Sequence, residues 1–582
     1  MNLFEVADFY LGRLVNPQVR TTLSVVEQSR IRVLLLDKST TQIISMTATQ
    51  TELLNKEIYM IDTIENEDRD VMRHLSCICY VKPTQETIEY LLKELQDPKY
   101  GRYQIFFNNT VTKTQLERLA ECDDFEVVTK VEELFQDYYI VNEDLYSLNL
   151  PMSKLLSNPV VWDPRGLDSV RRGIVSLLLS LKVHPRIYYE SSNKLCGKLA
   201  KEIQYEIDKN VKTLFDFPRM DAPPILLLLD RYNDALTPLL QPWTYQSMVH
   251  EYIGIKDNLV DLVHVPDLED SLKQVVLSSK HDVFFRETMY LNFGDLGDRV
   301  KQYVTQYKTK TNTNAQINTI EDIKRFIEKF PEFKKLSSNV SKHMAILSEL
   351  DSQLQLRDIW QLSELEQNLS AHDDNNNDYQ EMLKLLQSPN LKSYYKTKLA
   401  CIYALRNTSE TQKTRQVESI LRVACSPQEV AIFHKFKATC GMSAASSKKP
   451  QENDLISGLS KKFNKISRNN AENVYMQHTP ELARLLGELS KNKLPTERLR
   501  SVDHNGPHNV SPIQDVIIFM VGGVTLDEAR VVHQFNETMK AQNGSLRVVL
   551  GGNDVLRTED FLRDFEDIFC TSGKDTELSD LL

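Results

Sequence analysis

The chain has 582 residues, 41% hydrophobic and 26% charged, with a formal net charge of −11 at pH 7. That length sets an expectation of three or four domains with full cores, and the acidic balance argues against net-charge-driven binding to nucleic acid or to an anionic membrane as the main activity. No apolar run approaches the roughly 18–20 residues that cross a bilayer.

The first stretch, MNLFEVADFYLGRLV, carries acidic residues inside its apolar pattern and has no basic lead into a signal-peptide core, so it reads as an amphipathic helix of the fold. Eight cysteines in so long a chain do not make a disulfide framework. Cys77 and Cys79 would point the same way on a strand and pack as small hydrophobes, with a metal pair as the alternative. The expectation is a soluble, cytosolic protein.

IRVLLL at 31–36, CICYV at 77–81 and YQIFF at 103–107 are buried-strand candidates, and helical patterns follow the last two. Such alternation through about residue 135 indicates a parallel α/β domain. Within NTVTKTQLERL (109–119), Thr112 and Gln115 have capping-box spacing, and Val111 and Leu116 then fall at the hydrophobic-staple positions. Apolar spacing resumes at 127–135, YYIV at 138–141 is a further strand candidate, and 151–218 reads as mainly helical.

ILLLL at 225–229 lies between Pro223-Pro224 and Asp230-Arg231, a run suited to a strand buried on both faces. Its far end is where open α/β sheets carry ligands. Asp230 and Asp234 are therefore either carboxylates for metal or phosphate chemistry, or caps of the loop paired with Arg231. Charged, helix-favouring sequence follows until about residue 510. In it, 319–354 holds two helical patterns separated by Pro331; Phe333, Leu336, Val340, Met344, Leu347, Leu350 and Leu354 form the second stripe. Either this is a core face with a fixed kink, or a partner-binding hairpin hinged at the proline. HDDNNND at 372–378 reads as a polar turn, and 441–454 as a linker.

Two late strands, VIIFMV at 516–521 and LRVVL at 546–550, run into Gly522-Gly523 and Gly551-Gly552. They suggest that the tail returns to complete the sheet begun by 225–229, making the second domain discontinuous. The glycine pairs could cradle a phosphate or serve as tight turns, but neither GxGxxG nor GxxxxGK[ST] is present. His250-Glu251 opens an HExxH-like string whose fifth residue is Gly254, and no GxSxG elbow occurs. No constellation rises to an enzyme, and no cofactor or metal is expected.

With these segments in place, the chain resembles the SM (Sec/Munc) family of SNARE regulators over essentially its whole length. LLDRYNDALTPLLQPWTYQSMVHEYIGIKDNLVDL (228–262) carries the resemblance most specifically. LSSKHDVFFRETMYLNFGDLG (277–297) and FMVGGVTLDEAR (519–530) point to its vacuolar-sorting, endosomal branch. The resemblance implies a three-domain arch. An N-terminal parallel α/β domain (1–135) comes first, then a discontinuous central α/β domain (136–245 and 473–582) with a mainly helical third domain (246–472) inserted.

It also implies a non-enzymatic chaperone at Golgi, endosomal and vesicle membranes, recruited through SNARE binding without inserting into the bilayer. Its partners would be a syntaxin-type Qa-SNARE, the assembled SNARE complex and a vesicle R-SNARE, not nucleic acid. A pocket for the syntaxin N-terminal peptide falls on Val111, Leu116, Leu119, Val128 and Glu133, with Phe107 as its floor. Glu133 would meet a basic group or the peptide's terminal amine. The hairpin with Pro331, His343 and Met344 becomes a partially exposed template for SNARE helices. The alternatives are a subunit of a vacuolar tethering complex sharing the fold, and a magnesium-nucleotide-dependent phosphoryl-transfer enzyme built on Asp230, Asp234 and the Gly522 loop.

Overall fold

The computed structural model describes residues 2–15, 31–218, 220–311, 334–372, 376–407, 412–446, 473–502 and 512–570. Five strands, β1 (Arg32–Leu36), β2 (Ile58–Thr63), β3 (Met72–Val81), β4 (Tyr100–Phe107) and β5 (Val128–Glu133), form an all-parallel sheet in the order β2-β1-β3-β4-β5. Alternate residues of these apolar runs face opposite sides. Val33, Cys77, Cys79, Ile105 and Phe107 join one core, and Leu34, Leu36, Ile78, Tyr80 and Phe106 join another. Cys77 and Cys79 are thus core residues, and burial pushes both thiols up. The edge strand β2 buries only Ile58 fully and leaves Tyr59 and Ile61 exposed.

The chain continues through β6 (Tyr139–Asn142), β7 (Leu145–Ser147), a small ribbon of β8 (Leu156–Asn158) and β9 (Val161–Trp162), then β10 (Arg186–Glu190) and β11 (Ile225–Asp230). A second ribbon, β12 (Leu259–Asp261) with β13 (Gln274–Val276), leads into helices, after which β14 (Leu499–Ser501), β15 (Asp515–Val521) and β16 (Arg547–Gly552) follow. The second sheet has the order β14-β10-β11-β15-β16-β7-β6, with β14 and β6 antiparallel at its two edges. The expected return of the tail is visible in its register. Ile225 pairs with Val516, and Asp230 with Val521. Leu226 and Leu228 pack into the core on one face, and Ile225, Leu227 and Leu229 into that on the other. The segment 151–218 is less helical than expected, since β10 lies within it beside β11. The amphipathic helix Leu3–Val15 bridges the two sheets: Leu3 and Ala7 join the central core, whereas Tyr10, Leu11 and Leu14 join the first.

Helices Phe293–Thr311, Lys334–Arg357, Trp360–Ala371, Asn376–Gln387, Ser393–Arg406, Gln412–Ala424 and Pro427–Ser446 make up most of the inserted block. The last runs six residues into the stretch read as a linker from 441; residues 447–454 lie outside the described residues. The helix Thr558–Phe569 closes on this block, with Phe561 and Phe565 against Tyr232 and Phe436. The architecture is a three-domain arch of two α/β units and an inserted helical domain.

At the end of β11 the carboxylates cap and pair. Asp230 accepts from the Tyr232 amide, and Asp234 from the Thr237 amide and hydroxyl and the Glu481 amide. Arg231 is fully buried, and its Nη1 donates to both Glu528 oxygens at 2.8 and 2.7 Å. Gly522 sits against this arginine with φ +108°; a Cβ there would come 2.5 Å from Arg231 Cβ. Only glycine fits both the conformation and the space. Gly551 and Gly552, expected in a turn, instead lie within β16, and the Tyr146 ring occupies the space of a Gly551 side chain.

His250-Glu251 is also structural. Glu251 accepts from the Thr558 amide at 2.9 Å, while His250 Nε2 donates to the Val555 carbonyl at 3.2 Å. Burial lowers the His250 pKa from 6.5 to about 4, so the folded state holds it neutral. Below pH 6.5 the unfolded chain takes up the proton first, and stability falls with pH until about 4. The expected contribution is on the order of 2–3 kcal/mol across that window. Urea denaturation at a series of pH values should show a shallower acid-side decline in His250→Gln than in wild type.

Candidate functional site: an apolar opening at the edge of the first sheet

The helix Lys113–Glu121 forms as its sequence dictates. Thr112 Oγ1 accepts from the Gln115 amide at 3.2 Å, and Gln115 Oε1 accepts from the Thr112 amide at 2.9 Å, a reciprocal capping box. This box fixes the start of the helix and with it the direction of each side chain. Leu119 turns inward and is 5% exposed, packed with Phe107 at 0%. Leu116, one turn earlier, stays 37% exposed. Val111 and Val128 are half-buried against the same core.

Among the described residues strand β5 is the edge of the sheet beside this helix. Ile105 pairs with Val131 and Phe107 with Glu133, so Val131 and Glu133 share the face of the sheet that the helix covers. Glu133 Oε1 accepts from the Val111 amide at 2.7 Å, tying the loop before the helix to the edge strand. Val111, Leu116, Val128 and Glu133 lie toward the surface on this side of the edge, whereas Phe107 is fully covered in the core with Leu119, which corrects the expectation that Phe107 forms an accessible floor. One oxygen of Glu133 is already engaged by the backbone, which makes this residue an organiser of the opening as well as a charge at its rim. Sequence reasoning missed Val131, which is 46% exposed between Val128 and Glu133 on the same side. The valines of VTKVEE stand three apart and share a face only because pairing skips a residue between Val128 and Lys130, which the sequence does not show. Chemically, the opening suits a short apolar anchor carried on an extended segment.

The second expected site fares differently. Pro331 and residues 319–330 lie outside the described residues. His343 is 1% and Met344 6% exposed, which corrects the expectation of a partially exposed template at these two positions. His343 Nδ1 accepts from the Tyr245 hydroxyl at 2.7 Å, and its Nε2 donates to Asp282 Oδ2 at 2.9 Å; the neutral tautomer satisfies both. Burial lowers the His343 pKa accordingly. Burial alone would raise the Asp282 carboxyl, but His343 and Lys342, whose Nζ lies 2.5 Å away, hold it well below the usual carboxylate range. Met344, Leu347, Leu350 and Leu354 recur at threes and fours because that stripe faces the core of the helical block. The core-face alternative therefore describes 344–354.

Residues 32–564 match the Sec1 family, and the chain belongs to that family. Among its relatives, the Saccharomyces cerevisiae vacuolar protein sorting-associated protein 45 is 55% identical over 576 residues, spanning 97% of this chain and 99% of that one. The mouse protein of the same name is 38% identical over 541 residues, 92% of each chain. A solved structure of the SM protein Vps45 in complex with the Qa SNARE Tlg2 is similar with a TM-score of 0.83 at 38% identity, covering 98% of both chains. Sly1p in complex with an N-terminal peptide of Sed5p shares the fold, with a TM-score of 0.76 at 18% identity over 99% of this chain and all of that one.

Proposed function

We propose that this chain is a non-enzymatic SNARE chaperone. It binds a syntaxin-type Qa-SNARE, supports assembly of the SNARE complex and serves vesicle fusion in Golgi-to-endosome and vacuole transport. The likeness along nearly the whole chain to a Vps45 solved with a Qa SNARE carries this reading. Its first contact is the apolar surface beside β5, which takes the N-terminal peptide of the syntaxin, with an apolar side chain seated between Leu116 and Val131. A rigid scaffold that holds a SNARE lowers the conformational cost of later zippering, because ordering is completed before the helices meet. Among the described residues no helix is long and apolar enough to cross a membrane. Residence at Golgi and endosomal membranes then follows from the bound syntaxin.

Leu116→Arg tests this in a titration with the cytosolic part of the endosomal syntaxin, with and without its N-terminal peptide. A central apolar anchor is worth about 2 kcal/mol or more, roughly 30-fold in affinity. The expected result is loss of the peptide-dependent affinity with a shift of stability within about 0.5 kcal/mol, as for an exposed site. Unchanged peptide-dependent binding would refute the pocket, and an equal loss of stability would make Leu116 mainly a staple.

A further inference from the structure

The helix Lys194–Lys209 covers one face of the central sheet, burying Leu195, Leu199, Ile203 and Ile207. Its outward side is exposed at Lys194, Lys198, Lys201, Tyr205 and Lys209, spaced 4, 3, 4 and 4, and Lys212 continues the line in the following turn. At 3.6 residues per turn the five helical positions fall within an arc of about 80°. Tyr205, 65% exposed, is the large apolar side chain set among the lysines. Glu202, which pairs with Lys198 at 2.5 Å, and Asp208, which accepts from Gln204, flank the stripe on this helix. Its five lysines outnumber the three acids of 194–212, of which Glu206 is turned to Arg171, so in a chain of net charge −11 this face is locally positive.

We infer that this face rests on the anionic surface of a membrane. Flat electrostatic attraction needs lysines in one plane, and a tyrosine among them suits the headgroup layer, where aromatic rings with a polar tip accumulate. The surrounding negative charge gives the molecule no general attraction to such a surface, so the stripe selects one orientation. Adsorption here is peripheral and involves no insertion. It stands apart from syntaxin binding, because the opening beside β5 belongs to the other sheet.

The test is co-sedimentation of the full chain, without syntaxin, on vesicles of phosphatidylcholine alone and on vesicles half phosphatidylserine. Binding is expected only on the anionic vesicles and is expected to weaken steeply with salt. Each lysine near such a surface contributes about fivefold, so Lys201→Ala/Lys209→Ala/Lys212→Ala, which leaves the Lys198–Glu202 pair in place, should weaken partition about a hundredfold. The triple Lys→Arg variant should retain it, and all variants should melt with wild type because these side chains are exposed. Equal partition on both vesicle types, or no effect of the triple Ala variant, would overturn the inference. Binding to polyglutamate but not to vesicles would overturn it too, and assign the stripe to an acidic protein segment.

Discussion

Replacing Arg231 by alanine is expected to destabilise the central domain by about 3–5 kcal/mol, the cost of leaving a buried charge without its partner. The side chain is 0% exposed and Glu528 is equally buried, so neither charge can recover water when the other is removed. Nε and Nη2 of the same guanidinium also hold the Asp234 carbonyl, at 3.1 and 2.6 Å, and the turn after β11 depends on them. Glu528 has a second duty, accepting from the Thr525 amide at 2.9 Å in the capping box of the helix Leu526–Ala541. Arg231→Met/Glu528→Leu should therefore recover much of the loss but not all, with a residual of about 1–2 kcal/mol from the lost reciprocal bond of the capping box and the unpaired Asp234 carbonyl. Urea denaturation followed by tryptophan fluorescence and circular dichroism measures both. Arg231→Ala unfolding with wild type would show that the ion pair is dispensable to the sheet.

Lys398→Met is expected to have a comparable effect, about 3–5 kcal/mol at neutral pH, but with a pH dependence of its own. Lys398 Nζ lies 2.8 Å from Glu366 Oε1, both side chains are 0% exposed, and Glu366 Oε2 accepts from the Gln241 amide. Burial raises the Glu366 pKa even with the lysine present. Without it, the folded state should hold Glu366 protonated well above the carboxyl's unfolded value near 4.3. The folded state then binds more protons than the unfolded one, and stability of the variant drops as pH rises. The gap to wild type should be small near pH 5 and widen toward pH 8. A gap independent of pH would mean that the carboxylate finds water or another donor once the lysine is gone.

Much of the fold was legible because its signals are local. Thr112 and Gln115 announce a helix start from three residues' spacing, and the five apolar residues before Asp230 admit little but a doubly covered strand. Strand β10 was hidden because RIYYE has only Ile187 and Glu190 buried, and its place beside β11 is set by partners elsewhere in the chain. Val131 was missed for a similar reason, since its orientation follows from pairing with Ile105 rather than from its neighbours in sequence. At Met344 periodicity was sufficient and the resemblance drew it outward, together with its neighbour His343. The stripe marks a buried face, and the partners Tyr245 and Asp282 that fix His343 lie 98 and 61 residues away. For Asp230 and Asp234 residue types alone leave both roles open and only the resemblance implies the structural one, because Glu528, the partner of Arg231, is 297 residues distant.

The pairing of β11 with β15 bears on how the chain is made as well as on how it stands. During synthesis the ILLLL run emerges about 285 residues before the strand that will cover its open side. At 5–20 residues per second that is a delay of about 15–60 s. For that interval a five-residue apolar strand has a bare edge on an unfinished sheet, the kind of segment that pairs with other chains. A stop codon or frameshift anywhere between the end of β11 and β15 would make the exposure permanent, so truncated products should aggregate, not persist as soluble fragments.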